Sequence, residues 1–449
     1  MSIFFKVNTF KANAGFASNP MHHQAILKEL YSLERFGIKL GLTNITDLLR
    51  RIGNPQDHFP AIHVTGTAGK GSVCAFIDSV LREAGYRTGI YTSPHLIRFN
   101  ERIKVSGREI SDDDVVRLYE YVKPHTIAMA NESRAKQSTF FEITTAMAFT
   151  YFYEREVDVA ILEVGMGGRM DATNVVHSIL NILTRIGLEH TEHLGKTVKR
   201  IAREKSGIMK PNVPTVTVGQ EALQTLQERA KEVGCPLVVV GVDTKYNRLS
   251  WNIASQEIEF TSRYPLRYET TLLGAHQAEN AAIALTAIDV LEGDGWNISD
   301  FAKQRGITRA RWPARFQIVR RNPYVIVDGA HNPLGTQSLV NTIEDCFPKK
   351  KLIFVLGVLN DKDLDGIAKI LAPVAKHIVA TGPKSERAFS AKEVSDAFAK
   401  LNASVETVEG VAQAIGKALE IASPDTPVCI AGSIYVAGEA LQHFQEVES

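Results

Sequence analysis

The segment GTAGKGS, from Gly66 to Ser72, has the residue types of a phosphate-binding loop. It stands between an apolar run and a segment of helical spacing, so it lies where a strand ends and a helix begins. At such a junction glycine lets backbone N–H groups surround phosphate oxygens, Lys70 reaches the terminal phosphates and Ser72 faces Mg²⁺. The spacing is not that of the standard GxxxxGK[ST] loop, since only two residues separate Gly66 from Gly69. The segment predicts nucleotide binding, and the alternative is a glycine-rich turn with an exposed lysine.

Two titratable residues follow the most strand-like segments of the chain. Glu163 stands at the carboxyl end of the run 157–164, and His190 comes just after the run 177–187. Because the carboxyl ends of parallel strands meet at the ligand-binding edge of a sheet, both residues are expected near the phosphate loop. A carboxylate there is typical of the metal-binding or water-orienting acid of an NTPase. The alternatives are a helix-capping or ion-paired glutamate and a structural histidine.

Lys205, in IAREKSGIMKP, belongs to a predicted helix that ends at Gly207. Its neighbours Arg203 and Glu204 are charged. The residues alone therefore favour a solvated lysine.

A second group of polar residues follows a later strand. In DGAHNPLG, Asp328 is suited to bind a hydroxyl or a metal-bound water, while His331 and Asn332 come from a strand-to-helix turn that faces the crevice. Upstream, Arg315 in WPARFQ is a candidate phosphate clamp, because its planar fork of donors would neutralise charge during transfer. Packing between domains is the alternative role of Arg315, and the two roles are compatible.

The elements that position these residues alternate between β-branched runs and amphipathic helical segments, a pattern typical of an α/β protein with a mainly parallel sheet. The run 238–271 alternates more loosely and predicts a small antiparallel excursion. The basic, proline-containing run 306–319 has no clear periodicity and predicts a hinge between domains. We expect a P-loop ATPase-like parallel-sheet domain over residues 1–308 and a smaller Rossmann-like, doubly wound domain over 309–449.

Composition restricts the class of protein. The 449 residues carry 51 Lys and Arg against 50 Asp and Glu, a net charge of +1, which gives no general basic field for nucleic acid. The four cysteines have neither CxxC nor zinc-ligand spacing, and no apolar stretch approaches the length of a membrane span. We therefore expect a cytoplasmic protein that binds neither nucleic acid nor membrane.

Twelve motifs, in order along nearly the whole chain, resemble the folylpolyglutamate synthase and dihydrofolate synthase family, the folate branch of the Mur ligase superfamily. The motifs are SLERFGIKLGL (32–42), HVTGTAGKGS (63–72), YTSPHLIRFNERI (91–103), TFFEITTAMAF (139–149), LEVGMGGRMDATN (162–174), IGLEHTEHLG (186–195), AREKSGI (202–208), GAHQAENAAIA (274–284), WPARFQ (312–317), DGAHNPLG (328–335), GVLNDKD (357–363) and GSIYVAGE (432–439).

The resemblance implies an ATP-dependent amide ligase, of the acid–amino-acid ligase kind. A pterin substrate carboxylate takes the γ-phosphoryl group of ATP to give an acyl phosphate, the amino group of L-glutamate attacks it, and phosphate leaves. The implied acceptor is dihydropteroate, a reduced folate with a γ-glutamyl tail, or a related pterin. The resemblance also implies two Mg²⁺ ions, room for a monovalent cation, and a monomer.

The resemblance assigns roles to individual residues. The implied metal ligands are Ser72, Ser93, Glu163, His190 and Lys205, the last as a carbamate formed with CO₂. The implied ATP contacts are Gly66, Thr67, Ala68, Gly69, Lys70, Gly71, Ser72, Asn280, Arg315 and Asp328. The implied catalytic residues are Lys70, Lys205, His331 and Arg315. The implied pterin contacts are Lys39, Leu40, Gly41, Thr139, Phe140, Phe141, Glu142, Met170, Asp171 and Ala172.

Phe140 and Phe141 also have a rationale of their own, because a flat heteroaromatic ring stacks well on aromatic faces. We expect one of the two to belong to the helix core instead. Ala68 and Ala314 depart from the asparagine and glycine common in the family, and neither change removes a functional side chain.

Two other functions compete with this interpretation. One is a Mur-type ligase that adds an amino acid to a UDP-linked cell-wall precursor, and the other is a catalytically inactive nucleotide-binding regulatory protein. The segments 91–103 and 139–142 favour the folate branch over the first. The retained Lys70, Glu163 and Arg315 argue against the second. The sequence does not decide between adding the first glutamate and extending the tail.

Overall fold

The computed structural model of the chain describes residues 20–33, 37 and 39–448. Over these residues it contains an eight-stranded sheet, a three-stranded sheet and a six-stranded sheet, with helices packed against them. The fold is mixed α/β, with a large sheet dominated by parallel strands and a separate C-terminal sheet, as the sequence predicts.

The large sheet has the strand order β4-β3-β2-β5-β1-β6-β7-β8. Its strands are β1 (Ala61–Thr65), β2 (Thr88–Tyr91), β3 (Ile103–Val105), β4 (Arg108–Glu109), β5 (Val159–Glu163), β6 (Ser178–Leu183), β7 (Thr215–Val218) and β8 (Leu237–Val240). From β2 to β8 all neighbours are parallel, while β3 and β4 form an antiparallel extension. Both faces of β1 and β5 are buried, because their residues are apolar or hydrogen-bonded on either side.

The helices of this part are α1 (Pro20–Ser32), α2 (Thr43–Arg51), α3 (Lys70–Glu83), α4 (Asp112–Glu132), α5 (Phe140–Glu154), α6 (Thr191–Leu194), α7 (Val198–Lys205), α8 (Leu223–Val233), α9 (Ala275–Gly293) and α10 (Asp300–Arg309). One apolar cluster joins α3, α9 and α10 to one face of the sheet, and another joins α2, α4 and α5 to the opposite face. The carboxyl ends of β1, β5 and β6 are therefore held between two packed layers.

The antiparallel excursion predicted over 238–271 is confirmed from Lys245 onward, whereas residues 238–240 belong to the parallel strand β8. It consists of β9 (Lys245–Trp251), β10 (Gln256–Thr261) and β11 (Pro265–Thr270), in the order β11-β10-β9. Along β10, buried and partly exposed residues alternate, which is the pattern of a strand with one face on a core.

The C-terminal sheet has the order β12-β13-β17-β14-β15-β16. Its strands are β12 (Gln317–Arg321), β13 (Tyr324–Val327), β14 (Leu352–Leu356), β15 (Ala375–Ala380), β16 (Val405–Thr407) and β17 (Val428–Ala431), and its helices are α11 (Pro333–Cys346), α12 (Leu364–Leu371), α13 (Ala391–Ala399), α14 (Val411–Ile421) and α15 (Ile434–Glu448). Apolar clusters lie on both faces of the sheet, as in a doubly wound fold.

Both bounds of the predicted hinge, 306–319, are wrong, because residues 306–309 end helix α10 and Gln317–Arg321 is an antiparallel edge strand. The register of this strand shifts between Ile318 and Arg320, so a period of two does not run through its sequence. In the described part of the chain, no helix combines the length and apolar character that crossing a membrane requires.

Candidate active site

The loop that follows β1 leads directly into α3, as the sequence predicts. Gly69 precedes the helix at φ 92°, and no side chain caps the N-terminus. The first-turn N–H groups of a helix have no partner within it, so this end of α3 is suited to bind an anion. The N–H groups of Thr67 and Ala68 are instead used by the Arg185 carbonyl, at 2.7 and 3.2 Å, which fixes the loop to the segment after β6.

Glycine is required at three points of this loop because other residues approach closely. A Cβ on Gly66 would lie 1.8 Å from Thr184 Oγ1, and one on Gly69 would lie 2.3 Å from Asn280 Oδ1. A Cβ on Gly71 would lie 2.7 Å from the ring of Trp312, which belongs to the predicted hinge. Ser72 also accepts a hydrogen bond from Gln277 on α9 at 3.2 Å. The loop therefore contacts α9 and the hinge, and Asn280 lies beside it.

Two lysines donate to the same carbonyl oxygen. The ammonium of Lys70 lies 3.1 Å from Gly66 O, and that of Lys205 lies 2.7 Å from it. Lys205 is only 2% exposed. Burial, helped by the charge of Lys70, lowers the pKa of Lys205 to about 7. The prediction of a solvated lysine, made from the residues alone, is wrong.

The sequence carried a signal for this burial. Lys205 follows the buried Ile201 by four residues on α7, so it lies on the apolar face of the helix. Its charged neighbours Arg203 and Glu204 are on the solvent side. The helical position of the lysine, rather than the charge of its neighbours, decides its environment.

Glu163 lies at the end of β5, beside β1, and is 6% exposed. Its Oε2 accepts the N–H of Ser93 at 3.1 Å. Burial raises the pKa of Glu163, while the charges of Lys70 and Arg315 oppose this shift. His190 has a left-handed backbone (φ 50°) before α6, and burial lowers the pKa of its imidazole to about 4, so the ring is neutral. Glu163 can therefore offer an oxygen, and His190 an unprotonated nitrogen, as ligands to a metal ion.

Among the described residues, no group of three or more His, Cys, Asp and Glu side chains is placed to hold a metal ion. The predicted metal set contains only Glu163 and His190 of these types, and its other members are two serines and Lys205. A carboxylate and hydroxyls are ligands that suit Mg²⁺. A buried carboxylate whose ionised form is disfavoured also fits a site that receives a cation.

The three predicted pterin segments are adjacent. The Lys39 ammonium donates to Gln137 O at 3.0 Å, near Thr139, and the Gly41 N–H donates to Met170 O at 3.2 Å. Leu40 is 46% exposed between them, and Ala172 is buried. These contacts hold the three segments together, and residues 39–41, Phe141 and Met170 form their exposed or partly exposed surface.

Behind that surface, several buried side chains stabilise the backbone. Thr139 and Glu142 form a capping box at the start of α5, with Glu142 Oε2 accepting the Thr139 N–H at 2.7 Å. Asp171 is 5% exposed, and its carboxylate accepts from the N–H groups of Met166 (2.9 Å) and Thr173 (3.0 Å). Burial raises the pKa of Asp171, and these donors oppose the shift.

The two phenylalanines differ. Phe140 is 8% exposed, stacks on Tyr31 with ring centroids 5.9 Å apart, and belongs to the apolar core. Phe141 is only partly buried, and a Cβ on Gly165 would lie 2.6 Å from its ring. The expectation that one ring belongs to the core is met by Phe140, and Phe141 faces the loop 165–173.

The C-terminal sheet contributes Asp328 and Arg315. Asp328, at the end of β13, accepts the N–H groups of Phe316 at 2.7 Å and Ala330 at 2.8 Å. It thus joins the hinge to the turn that precedes α11. The guanidinium of Arg315 donates to Ala314 O at 2.9 Å, and its charge acts on both Asp328 and Glu163. Ala314 itself has φ 54°, a left-handed backbone conformation that favours glycine.

Glu189 is a site residue that the sequence analysis did not single out. Its Oε1 lies 3.9 Å from His331 Nε2 and accepts from Asn332 Nδ2 at 3.4 Å, so it joins the two sheets across the crevice. Burial acts to raise the pKa of Glu189, but His331 and the charge of Lys70 outweigh it and hold the pKa below its usual range. Its position next to His190 in the sequence could have predicted that Glu189 also lies at the rim of the sheet.

Comparisons with known proteins show the family to which the chain belongs. Residues 64–288 match the Mur ligase middle domain, and residues 314–434 match the family described as Mur ligase, glutamate ligase domain. The dihydrofolate synthase/folylpolyglutamate synthase of Bacillus subtilis is 39% identical over 370 residues, covering 81% of this chain and 86% of that protein.

Two solved structures are similar over nearly the whole chain. Mycobacterium tuberculosis folylpolyglutamate synthase, complexed with ADP and AMPPCP, has a TM-score of 0.87 and 32% identity, covering 94% of this chain and 99% of that one. Escherichia coli FolC in complex with DHPP and ADP has a TM-score of 0.84 and 30% identity, covering 94% and 98%. The chain belongs to the dihydrofolate synthase/folylpolyglutamate synthase family of Mur ligases.

Proposed function

We propose that this protein is an ATP-dependent ligase that joins L-glutamate to the carboxylate of a pterin substrate through an acyl phosphate. The observation that carries the proposal is the convergence of Lys70 and Lys205 on Gly66 O beside the uncapped N-terminus of α3. Binding of ADP and AMPPCP to the M. tuberculosis relative, and of ADP and DHPP to E. coli FolC, supports ATP and a pterin as the substrates.

In this proposal, the phosphates of ATP lie on the loop from Gly66 to Ser72. The free N–H groups of the first turn of α3 and the Lys70 ammonium bind the phosphate oxygens. Asn280 lies against Gly69, and Arg315 and Asp328 reach the nucleotide from the C-terminal side. The substrate carboxylate oxygen attacks the γ-phosphorus, and the bond to the β-phosphate oxygen breaks to release ADP.

The ligands proposed for Mg²⁺ are Ser72, Ser93, Glu163 and His190, with carbamylated Lys205 for a second ion. When bound, Mg²⁺ neutralises phosphate oxygens that would otherwise repel the incoming carboxylate. The neutral His190 ring and the buried Glu163 carboxylate offer lone pairs to a cation at the end of the parallel strands.

Lys205 is suited to carbamate formation. With a pKa of about 7, a large fraction of its amine is neutral near physiological pH. The nitrogen lone pair forms a bond to the carbon of CO₂ and one proton leaves, so a buried cation becomes an anion.

The second half-reaction belongs to the crevice between the sheets. The amine of glutamate attacks the acyl carbon, phosphate leaves, and the ammonium proton must be accepted nearby. His331 donates from Nδ1 to Gly329 O at 2.8 Å, so its Nε2, which faces Glu189, carries a lone pair. Nε2 is therefore the proposed acceptor of the ammonium proton. The pterin lies on the surface formed by residues 39–41, 139–142 and 170–172, with Phe141 as its aromatic contact.

The test is glutamate-dependent release of ADP from ATP, with Mg²⁺ and a panel of acceptors: dihydropteroate, tetrahydrofolate and a tetrahydromethanopterin-type compound. We expect turnover of dihydropteroate, of tetrahydrofolate, or of both. Absence of turnover with every acceptor would overturn the proposal.

Three further expectations belong to the proposal. The enzyme acts as a monomer, it is cytoplasmic, and its two domains meet near residues 308 and 309. Light scattering after size-exclusion chromatography tests the first, and limited proteolysis tests the last.

A further inference from the structure

Strand β1 presents different chemistry on its two faces. Ile62 and Val64 pack into the apolar cluster of α3 and α9. His63 and Thr65, which alternate with them, are both fully buried on the opposite face. The strand then ends at Gly66, where the phosphate loop begins.

Both polar residues of β1 are bonded to the loop 165–173, which carries part of the proposed pterin surface. Thr65 Oγ1 donates to Gly167 O at 2.6 Å. His63 Nε2 lies 2.8 Å from Thr173 Oγ1, and Thr173 Oγ1 donates to Asp171 Oδ1 at 2.5 Å. A chain of two hydrogen bonds therefore runs from the centre of the sheet to the Asp171 carboxylate.

The direction of this chain follows from the groups in it. Because the Thr173 hydroxyl gives its one proton to Asp171, it can only accept from His63. His63 is neutral, since burial lowers its pKa to about 3, so its single proton is on Nε2. Nδ1 then carries a lone pair, which agrees with its having no partner among the described residues, since a buried unpaired N–H would be rarer.

We propose that His63 is a positioning residue for the pterin site: through Thr173 it orients Asp171, and the Asp171 carboxylate fixes the loop 165–173 in the shape that binds the pterin. The inference rests on the proposed function and deepens it. The Asp171 carboxylate, with donors on both oxygens, is held in one orientation and in turn holds the backbone of Met166 and Thr173 through their N–H groups. Because His63 stands three residues before Gly66, one strand positions both the phosphate loop and the pterin loop.

A purely structural role for His63 predicts something different. Such a residue would only fill space between β1 and the loop 165–173, and its loss would lower stability and affect both substrates alike. The positioning role predicts an effect on the pterin alone. The two roles can therefore be separated by comparing the binding of the two substrates.

The experiment uses the full chain and two matched pairs, Thr173→Val against Thr173→Ser and His63→Leu against His63→Gln. Valine keeps the shape of threonine without the hydroxyl, and glutamine places an N–H near the position of Nε2. Thr150→Val on α5, which removes another buried hydroxyl, is the control for stability. The readouts are the KM for dihydropteroate, the KM for ATP, kcat, and the Kd of dihydropteroate by calorimetry in the presence of ADP.

We expect Thr173→Val to raise the KM and Kd of dihydropteroate roughly 10- to 100-fold, the loss typical of a hydrogen bond to a charged group, with the KM for ATP changed less than about threefold. Thr173→Ser and His63→Gln should recover most of that loss. If His63→Leu does not fold, the threonine pair decides alone. Unchanged pterin binding in Thr173→Val, or an equal rise in both KM values, would overturn the inference. A wild-type protein that neither binds nor turns over any pterin would instead overturn the proposed function.

Discussion

Replacing Lys205 by methionine should stabilise the protein while abolishing ligation. Methionine keeps the length of the side chain and removes the buried ammonium. Gly66 O keeps a partner, because Lys70 Nζ also donates to it at 3.1 Å. The substitution therefore removes a desolvated charge without leaving the carbonyl unpaired.

The magnitude follows from the pKa of Lys205. It is about 7 in the folded protein against an ordinary value of 10.5, a difference that corresponds to a cost of about 5 kcal/mol when the amine is charged. About 1–2 kcal/mol is recovered by wild type through the bond to Gly66 O, so the net gain of the variant is about 3 kcal/mol. For a folding unit of roughly 300 residues this raises the Tm by about 5 °C.

The pH dependence has a definite sign. Between pH 7 and 10.5 the unfolded chain binds more protons at Lys205 than the folded one, so wild-type stability rises with pH over this window. Below pH 7 both states are charged and the cost is complete. The advantage of Lys205→Met should therefore be full at pH 6 and vanish by about pH 10.

The assay is thermal unfolding at pH 6, 7, 8 and 9 in buffer depleted of CO₂, so that wild type keeps a free amine. Lys199→Met, an exposed lysine on the same helix, is the matched control and should change neither stability nor ligation. Ligation should be absent in Lys205→Met, and in Lys205→Ala formate or acetate should partly restore it. A variant no more stable than wild type at pH 6, or one that ligates at the wild-type rate, would refute the reasoning.

Three further predictions concern the phosphate loop, the aromatic pair and the contact between the sheets. Gly69→Ala should raise the KM for ATP at least tenfold, because its Cβ would lie 2.3 Å from Asn280 Oδ1. The control Gly85→Ala has the same φ of 92° with no atom within 4 Å, and should cost only about 1 kcal/mol of stability. Equal KM values for ATP in the two variants would contradict this prediction. Phe140→Leu should lower stability by about 1–2 kcal/mol with little effect on the KM for the pterin. Phe141→Leu should raise the KM for the pterin with little effect on stability. Thermal melts and steady-state kinetics measure both effects, and the opposite pattern would exchange the roles of the two rings. Glu189→Gln should lower kcat about tenfold or more with a nearly unchanged KM for ATP, because the charge that faces His331 and Asn332 is lost; a wild-type kcat would show that the contact is dispensable.

Much of the fold could be predicted because its signals are local. The apolar runs at β1, β5 and β6, and the strand–loop–helix unit around Gly66, depend on spacing within about twenty residues. The edge strand Gln317–Arg321 was missed because its register shift breaks the alternation. Edge strands and bulges depend on what pairs with them, and that partner is not visible in the strand's own sequence.

The site was predicted less completely because its contacts join distant segments. Lys205 and Gly66 are 139 residues apart in the chain, and Glu189 and Asn332 are 143 apart. The charged neighbours Arg203 and Glu204 suggested that Lys205 is solvated. Lys205 is nevertheless buried, because it lies on the apolar face of α7. The residues that identify Glu189 as part of the site, His331 and Asn332, belong to the other sheet.

The way the two lysines are held bears on how a chain of net charge +1 can bind anions. Among the described residues neither Lys70 nor Lys205 forms an ion pair; both donate to the Gly66 carbonyl. A carboxylate partner would neutralise them, whereas a carbonyl dipole orients an ammonium and leaves its charge available. Two cations that share one carbonyl also repel each other, which favours the neutral amine at the more buried of them. The geometry thus leaves the Lys70 side chain available to bind phosphate and favours Lys205 as the amine that reacts.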